Sequence, residues 1–324
     1  MKKPIVIFSL FCALLMGFSC AKTSQTIRIG INAWPGYEFL YLAQEKGFFE
    51  AEGVDVRIIE FNSLADGKRA YERGQIDGLG CTLIEHIQIL DNSDRSPFIC
   101  FVADYSNGAD VIVANKTISN IQDLKGARVG LEIDSLGVFM LARVLDKAGL
   151  ELDDIAIRPL DQISIERAVC EEELDAAISY PPISLRILRD CEASAIFTSA
   201  EIPNEIVDVI ILEKSLVENN PQAAKAISTA FFKAQKWAYQ NKEEAFALMG
   251  EREGLSGAEF GQALADGIQI LNIEDQEKFL VPGGLLDQAL THCANILRDT
   301  NQISDTTRIK DSIHRPKRGK NEGQ

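Results

Sequence analysis

Residues 27–61 constrain this chain more than any other stretch. Ile27, Ile29 and Ile31 alternate at the period of a strand, and Pro35-Gly36 then turns the chain. Phe39, Leu40, Ala43 and Phe48 recur at helical spacing, Gly47 and Gly53 supply stops, and Val54, Val56 and Ile58 alternate again. The result is a β-loop-α-β unit. It leaves loop 32–38 at the carboxyl end of its first strand, where open α/β sheets bind ligands. A helix starting near Tyr37 points free N–H groups into the same place.

The remaining pattern repeats this alternation. A helix is expected over 64–74, a short strand over 76–80, an apolar helix over 83–90 and a buried strand over 97–103. Residues 104–110 read as a loop, with turn chemistry at Asn107-Gly108, followed by a strand over 111–114. Strands over 128–132, 155–160, 176–180 and 195–199, separated by helices, read as a second α/β lobe with parallel packing. Residues 208–212 read as a strand that rejoins the first lobe. Pro221 then opens a helix at the position its fixed φ suits, and further helices follow over 242–250, 256–268 and 284–298. A chain of 324 residues exceeds what one core usually organises, which agrees with two lobes, and 46% hydrophobic residues suffice to bury both.

Lys2-Lys3 followed by the uncharged run 5–18 is a positive n-region and an apolar h-region too short to span a bilayer as a helix. Residues 1–20 therefore read as a signal peptide and the mature protein as periplasmic. Leu15-Met-Gly-Phe-Ser-Cys20 resembles a lipobox with Gly17 where Leu is usual, which makes Cys20 a candidate for acylation; ordinary cleavage after Ala21 is the alternative. The chain's net charge is −15. Two positive charges in the leader and a net three in 301–324 leave the body, 21–300, at −20. Such a body does not suit nucleic acid or an anionic membrane patch, so contact with a membrane is expected only through the lipid anchor. Residues 301–324 lose periodicity and read as a disordered basic tail. Beyond the leader, Cys81, Cys100, Cys170, Cys191 and Cys293 allow at most two disulfides with one thiol left over. Buried free thiols are the expectation; Cys170 with Cys191, inside one lobe, is the least implausible pair for a disulfide.

Little in the chain suggests catalysis. His86, His292 and His314 are the only histidines, none lies in H-E-x-x-H, and no G-x-S-x-G occurs. His86 falls within an apolar helix, as a core histidine would. The expectation is a protein that is no enzyme and uses neither metal nor cofactor. Several polar groups do converge on the expected mouth between the lobes. Trp34 and Tyr37 offer flat faces, although either also suits packing under the first helix. Helix starts at Gly36, Thr82 and Ser135-Leu-Gly137 present N–H groups to a negative group, while simple capping accounts equally for Ser135. Asp104, Asp110 and Glu132 would pair with an amine or ring nitrogen; capping a turn is the alternative for Asp110, and solvation at a strand end for Glu132. Tyr180 fits as a cleft wall.

Trp34-Pro-Gly-Tyr37, Leu42-Ala-Gln-Glu-Lys-Gly-Phe-Phe49 and Glu52-Gly-Val-Asp-Val56 resemble the opening of the periplasmic substrate-binding proteins of nitrate, sulfonate and taurine ABC importers. Gly74-Gln-Ile-Asp-Gly78, Asp123-Leu-Lys-Gly-Ala-Arg-Val-Gly130 and Asp175-Ala-Ala-Ile-Ser-Tyr-Pro182 continue the resemblance in order. Proteins similar to thiamine-pyrimidine precursor binders and synthases belong to the same family. The resemblance covers about 26–300 and implies a type II periplasmic-binding-protein fold: two α/β lobes joined by two crossings, with extra C-terminal helices on lobe one. Lobe one is expected over 26–112 and 205–300, and lobe two over 113–204, with crossings near 115–125 and 202–209. The implied function is capture of a small polar organic ligand, amine-, sulfonate- or pyrimidine-like, by hinge closure and its delivery to an ABC permease by a monomer. Two alternatives remain: a sensing subunit that docks on a membrane receptor, and a pyrimidine-synthesis enzyme of the same fold. The synthases' Cys-rich motif is absent. Tyr180-Pro181-Pro182 departs from the aromatic-Glu-Pro triplet of many relatives and removes a carboxylate there.

Overall fold

The computed structural model describes residues 26–315. Its strands, in chain order, are β1 (Ile27–Asn32), β2 (Val56–Phe61), β3 (Gly78–Thr82), β4 (Pro97–Ser106), β5 (Val111–Asn115), β6 (Arg128–Leu131), β7 (Ala156–Pro159), β8 (Ala176–Ser179), β9 (Ala193–Thr198), β10 (Val207–Glu213) and β11 (Ile268–Ile270). They form a six-stranded sheet of order β11-β4-β10-β3-β1-β2 and a five-stranded sheet of order β7-β6-β8-β5-β9. This is the expected two-lobed α/β fold of the periplasmic-binding type.

Each sheet pairs its local βαβ strands in parallel, β1 with β2 and β3, and β6 with β7 and β8. Each also carries an antiparallel strand that adjoins a crossing. β10, which returns from lobe two, lies antiparallel to β3 and β4, and β5, which leaves lobe one, lies antiparallel to β8 and β9. Lobe two is thus mixed rather than parallel throughout, because a strand entering from the other lobe arrives from the opposite end.

The crossings differ from expectation. β4 runs to Ser106, so Asp104 lies in a strand and not in a loop, and the first crossing is the short stretch 107–110 rather than 115–125. The second runs over 199–206, between β9 and β10. The two lie side by side: Ser106 N–H donates to Ile206 O at 2.9 Å, Ser199 N–H donates to Asp110 O at 2.8 Å, and the Ser106 and Ser199 hydroxyls are 2.7 Å apart. Paired connections of this kind permit rotation of one lobe against the other while resisting shear.

The C-terminal helices cover lobe one. Helix Pro221–Gln240 packs Phe231 against Phe39 and Phe101, with ring centroids 5.8 and 4.9 Å apart. After helix Gly257–Ala265, β11 pairs with β4, where the sequence pattern predicts continued helix to 268. Residues 301–315, expected to be disordered, are packed. Ile313 bridges Ile99 on the edge of β4, and the Arg308 guanidinium donates to the carbonyls of Leu90, Ser93 and Arg95. Leu90 lies in the last turn of helix Leu83–Asn92, which is left with unpaired carbonyls and a partial negative charge, so a basic residue there has structural work to do. His86 is buried in that helix and touches the Ser312 hydroxyl at 2.8 Å; burial pushes its pKa down to about 3. Cys170 and Cys191 form a disulfide, and Cys81, Cys100 and Cys293 are buried free thiols. Cys20, the leader and 316–324 lie outside the described residues.

Candidate functional site

The carboxyl ends of β1, β3, β6 and β8 converge between the lobes and enclose a cavity with a volume of about 10 Å³. That is room for about one water, so the cleft is closed. Trp34, Tyr37, Thr82, Asp110 and Tyr180 line it, together with Asn32, Leu64, Leu136, Ile206 and Asp208, which the sequence reading missed. The aromatic walls meet across the lobes, Trp34 of lobe one standing edge-to-face with Tyr180 of lobe two at 6.2 Å.

Behind these walls lies a set of buried carboxylates. Trp34 Nε1–H donates to Asp104 Oδ1 at 3.2 Å, and the Tyr37 hydroxyl donates to Asp208. Asp104 and Asp208 sit opposite each other on β4 and β10, so the strand register itself juxtaposes two acids. Gly36 is required here, since a Cβ at that position would stand 1.9 Å from Asp104 Oδ2. Burial pushes Asp104 up to about 7, with the charge of Asp110 adding to it and the Trp34 hydrogen bond opposing. Burial likewise pushes Asp110 up to about 7 and Glu132 up to about 8, with Glu85 adding to both, and holds Asp208 well above the usual carboxylate range. No Lys or Arg lines the cavity. Five buried polar atoms around it have no hydrogen-bond partner: Asn32 Oδ1, Asp110 Oδ2, Asp208 Oδ2, Glu132 Oε1 and Ser135 Oγ. Asn32 Oδ1 only accepts, and the carboxyl oxygens do so once their groups are ionised, so the ionised site lacks donors.

The three helix starts expected to attract a negative group already face protein carboxylates. Asp104 lies against Gly36. Glu85, fully buried, accepts from Thr82 N–H at 3.0 Å and from the Thr82 hydroxyl in a capping box. The other oxygen of Glu85 reaches across the cleft and accepts from Leu136 N–H at 2.7 Å, at the start of helix Leu136–Ala148. Lobe one thus supplies the anion for the helix N-terminus of lobe two. Gly137 lies off the cavity lining, and its lack of a side chain lets the helix start approach Glu132 O, which a Cβ would meet at 2.6 Å. Ser135 occupies the N-cap position without making a capping bond. Tyr180 OH lies 3.5 Å from Glu132 Oε2, and Glu132 is buried rather than solvated at its strand end.

The missed residues had readable signals. Asp208 is a charge inside the otherwise apolar run Val207 to Leu212, and Glu85 completes Thr82-Leu-Ile-Glu85, the S/T-x-x-E pattern of a capping box. Asn32, Leu64, Leu136 and Ile206 carry no such mark. Among the described residues no cluster of His, Cys, Asp and Glu has the arrangement of a metal site, and no helix is long and apolar enough to cross a membrane.

Comparison with known proteins places this geometry. The family described as "NMT1/THI5 like" matches residues 34–245. A putative binding protein of Brucella abortus is 26% identical over 67% of this chain and 68% of its own length. The taurine-binding periplasmic protein of Escherichia coli is 24% identical over 66% of this chain and 67% of its own. The alkanesulfonate-binding protein SsuA of Xanthomonas axonopodis, solved with MOPS, superposes with a TM-score of 0.76 at 17% identity, over 90% of this chain and 98% of that one. At that identity the superposition concerns the fold.

Proposed function

The chain belongs to the NMT1/THI5-like family, and from that premise we propose that it is an extracytoplasmic solute-binding protein whose ligand carries an amine or ring nitrogen. The observation that carries this reading is the set of buried carboxyls at the closed cleft with unpartnered oxygens, Asp110 and Asp208 in its lining and Glu132 next to it, with no cationic side chain in that lining. A donor-bearing, positively charged group supplies what these atoms lack, and each charge-assisted hydrogen bond contributes about 1.5–3 kcal/mol. Taurine, named in the Escherichia coli relative, carries an ammonium group and meets this requirement. An alkanesulfonate without nitrogen does not.

Binding closes the two lobes about crossings 107–110 and 199–206, and the closed shape is what an ABC permease reads. The ligand contacts both lobes only when they are closed, so its binding energy shifts that equilibrium. Cys20 tethers the mature protein to a membrane. A lining of carboxyls, phenols and an indole suits capture, and the Cys81 thiol behind Tyr37 and Asp208 is fully buried, with its pKa held well above the usual thiol range by burial.

A thermal-shift screen with taurine, alkanesulfonates, nitrate, pyrimidines and amines tests the reading, followed by small-angle scattering on each hit. A ligand at a hundred times its Kd stabilises by about 2.7 kcal/mol, roughly 5 °C for a chain of this size, and the molecule compacts. A panel in which only nitrogen-free anions raise the Tm overturns the ligand class. Hits that leave the scattering unchanged overturn hinge closure.

A further inference from the structure

Beyond Tyr180 the interlobe cleft opens into a second chamber with a volume of about 130 Å³, walled by both lobes. Asn32 and Tyr180 belong to both spaces, so the chamber continues the closed cavity outward. Its apolar walls are Phe61 from lobe one and Ile163, Pro182 and Ile183 from lobe two. Glu253, the last residue of helix Lys242–Glu253, lines it at only 4% exposure, and both of its carboxylate oxygens lack a partner.

Two arginines share the chamber; the charge of each favours an ionised Glu253, but neither hydrogen-bonds to it. Arg186 is held by Glu166, Nε to Oε1 at 2.9 Å and Nη2 to Oε2 at 2.8 Å. Arg252 is held by Glu38, Nε to Oε2 at 2.7 Å and Nη2 to Oε1 at 2.6 Å, and its Nη1 lies 2.8 Å from Glu60. Each guanidinium is paired with another carboxylate, and the two oxygens of Glu253 are left without a donor. A buried carboxyl with two unpartnered oxygens is costly to maintain, and a ligand donor relieves that cost.

We propose that the outer chamber is a second subsite for the same ligand, in which Glu253 receives a nitrogen group at one end while Asp110 receives another at the far end. The ligand class is an elongated solute with an amine, amidine or guanidine at each end and an apolar body along Tyr180. This rests on the solute-capture reading and adds the second anchor.

Calorimetry decides it, with 1,4-diaminobutane, 1,5-diaminopentane and n-butylamine as probes on wild type, Glu253→Gln, Glu253→Leu and Asp110→Asn. Wild type is expected to bind a diamine at least tenfold tighter than butylamine. Glu253→Gln should reduce that ratio about tenfold, and Asp110→Asn should weaken both kinds of probe. Glu253→Leu removes the carboxylate without leaving a buried polar atom, so it must lower the ratio similarly, and thermal melts identify a variant that has lost its fold. Butylamine binding that depends on Asp110, with no advantage for a diamine, sinks the second subsite and leaves single-ended capture standing. Equal diamine affinity in wild type and both Glu253 variants sinks it too. Failure of all three amines while an alkanesulfonate binds overturns the subsite and the nitrogen-bearing ligand together.

Discussion

Asp110→Asn is expected to stabilise the ligand-free protein, and to do so more at pH 8 than at pH 5. Asp110 is 2% exposed, its Oδ2 has no partner, and its pKa is pushed from 3.8 up to about 7 by burial, with Glu85 adding to the effect and Ser106 opposing it. The folded carboxyl therefore keeps its proton to about pH 7, whereas the unfolded one releases it near pH 4. Across that window the unfolded chain binds fewer protons, so stability falls as pH rises and levels off above about 7. Each pH unit of separation costs about 1.4 kcal/mol, so keeping Asp110 in place costs on the order of 4 kcal/mol at pH 8 and about 2 kcal/mol at pH 5. Asparagine does not ionise and removes that difference. At about 2 °C per kcal/mol for a chain of this size, the gain in Tm should be roughly 5 °C larger at pH 8 than at pH 5. Differential scanning fluorimetry at the two pH values, without ligand, reads this directly. A Tm change that is the same at both pH values, or a net loss at pH 8, would refute the account of Asp110 as a carboxylate held for a ligand at the expense of the apo fold.

Two further outcomes follow from named contacts. Glu85→Ala removes a capping box and the bond to Leu136 N–H across the lobes, so the Tm should fall by several degrees, about 2 kcal/mol or more, and scattering of the ligand-free protein should indicate a more open molecule; an unchanged radius of gyration would show that Glu85 does not hold the lobes together. Arg308→Ala strips the donor from three carbonyls around the end of helix Leu83–Asn92, so chemical denaturation should show a loss of about 2–3 kcal/mol, and a loss below about 0.5 kcal/mol would return 301–315 to the status of a dispensable tail.

What the sequence determined by itself was the local grammar. Alternation at Ile27, Ile29 and Ile31, the turn at Pro35-Gly36 and the helical spacing after it are short-range preferences that put Trp34 and Tyr37 at the carboxyl end of a strand, as the pattern over 76–80 does for Thr82. Asp104 and Asp110 stand out by their charge, and both are buried, Asp110 in the lining of the cavity and Asp104 behind Trp34. Only the tertiary structure decided what these residues do to one another. The pairing of Asp104 with Asp208 depends on the register of β4 against β10, strands about a hundred residues apart, and no local pattern carries that register. The helix start at Leu136 is expected to await a ligand's negative group and instead donates to Glu85 of the other lobe, because closure brings together residues 51 positions apart. Arg308 looked like part of a solvated tail, since a lone basic residue in a polar stretch has no periodicity to declare its partners; three carbonyls near the end of a distant helix gave it a place. Short-range preferences select strands and helices, whereas charge balance in a cleft is a sum over both lobes and exists only once they meet.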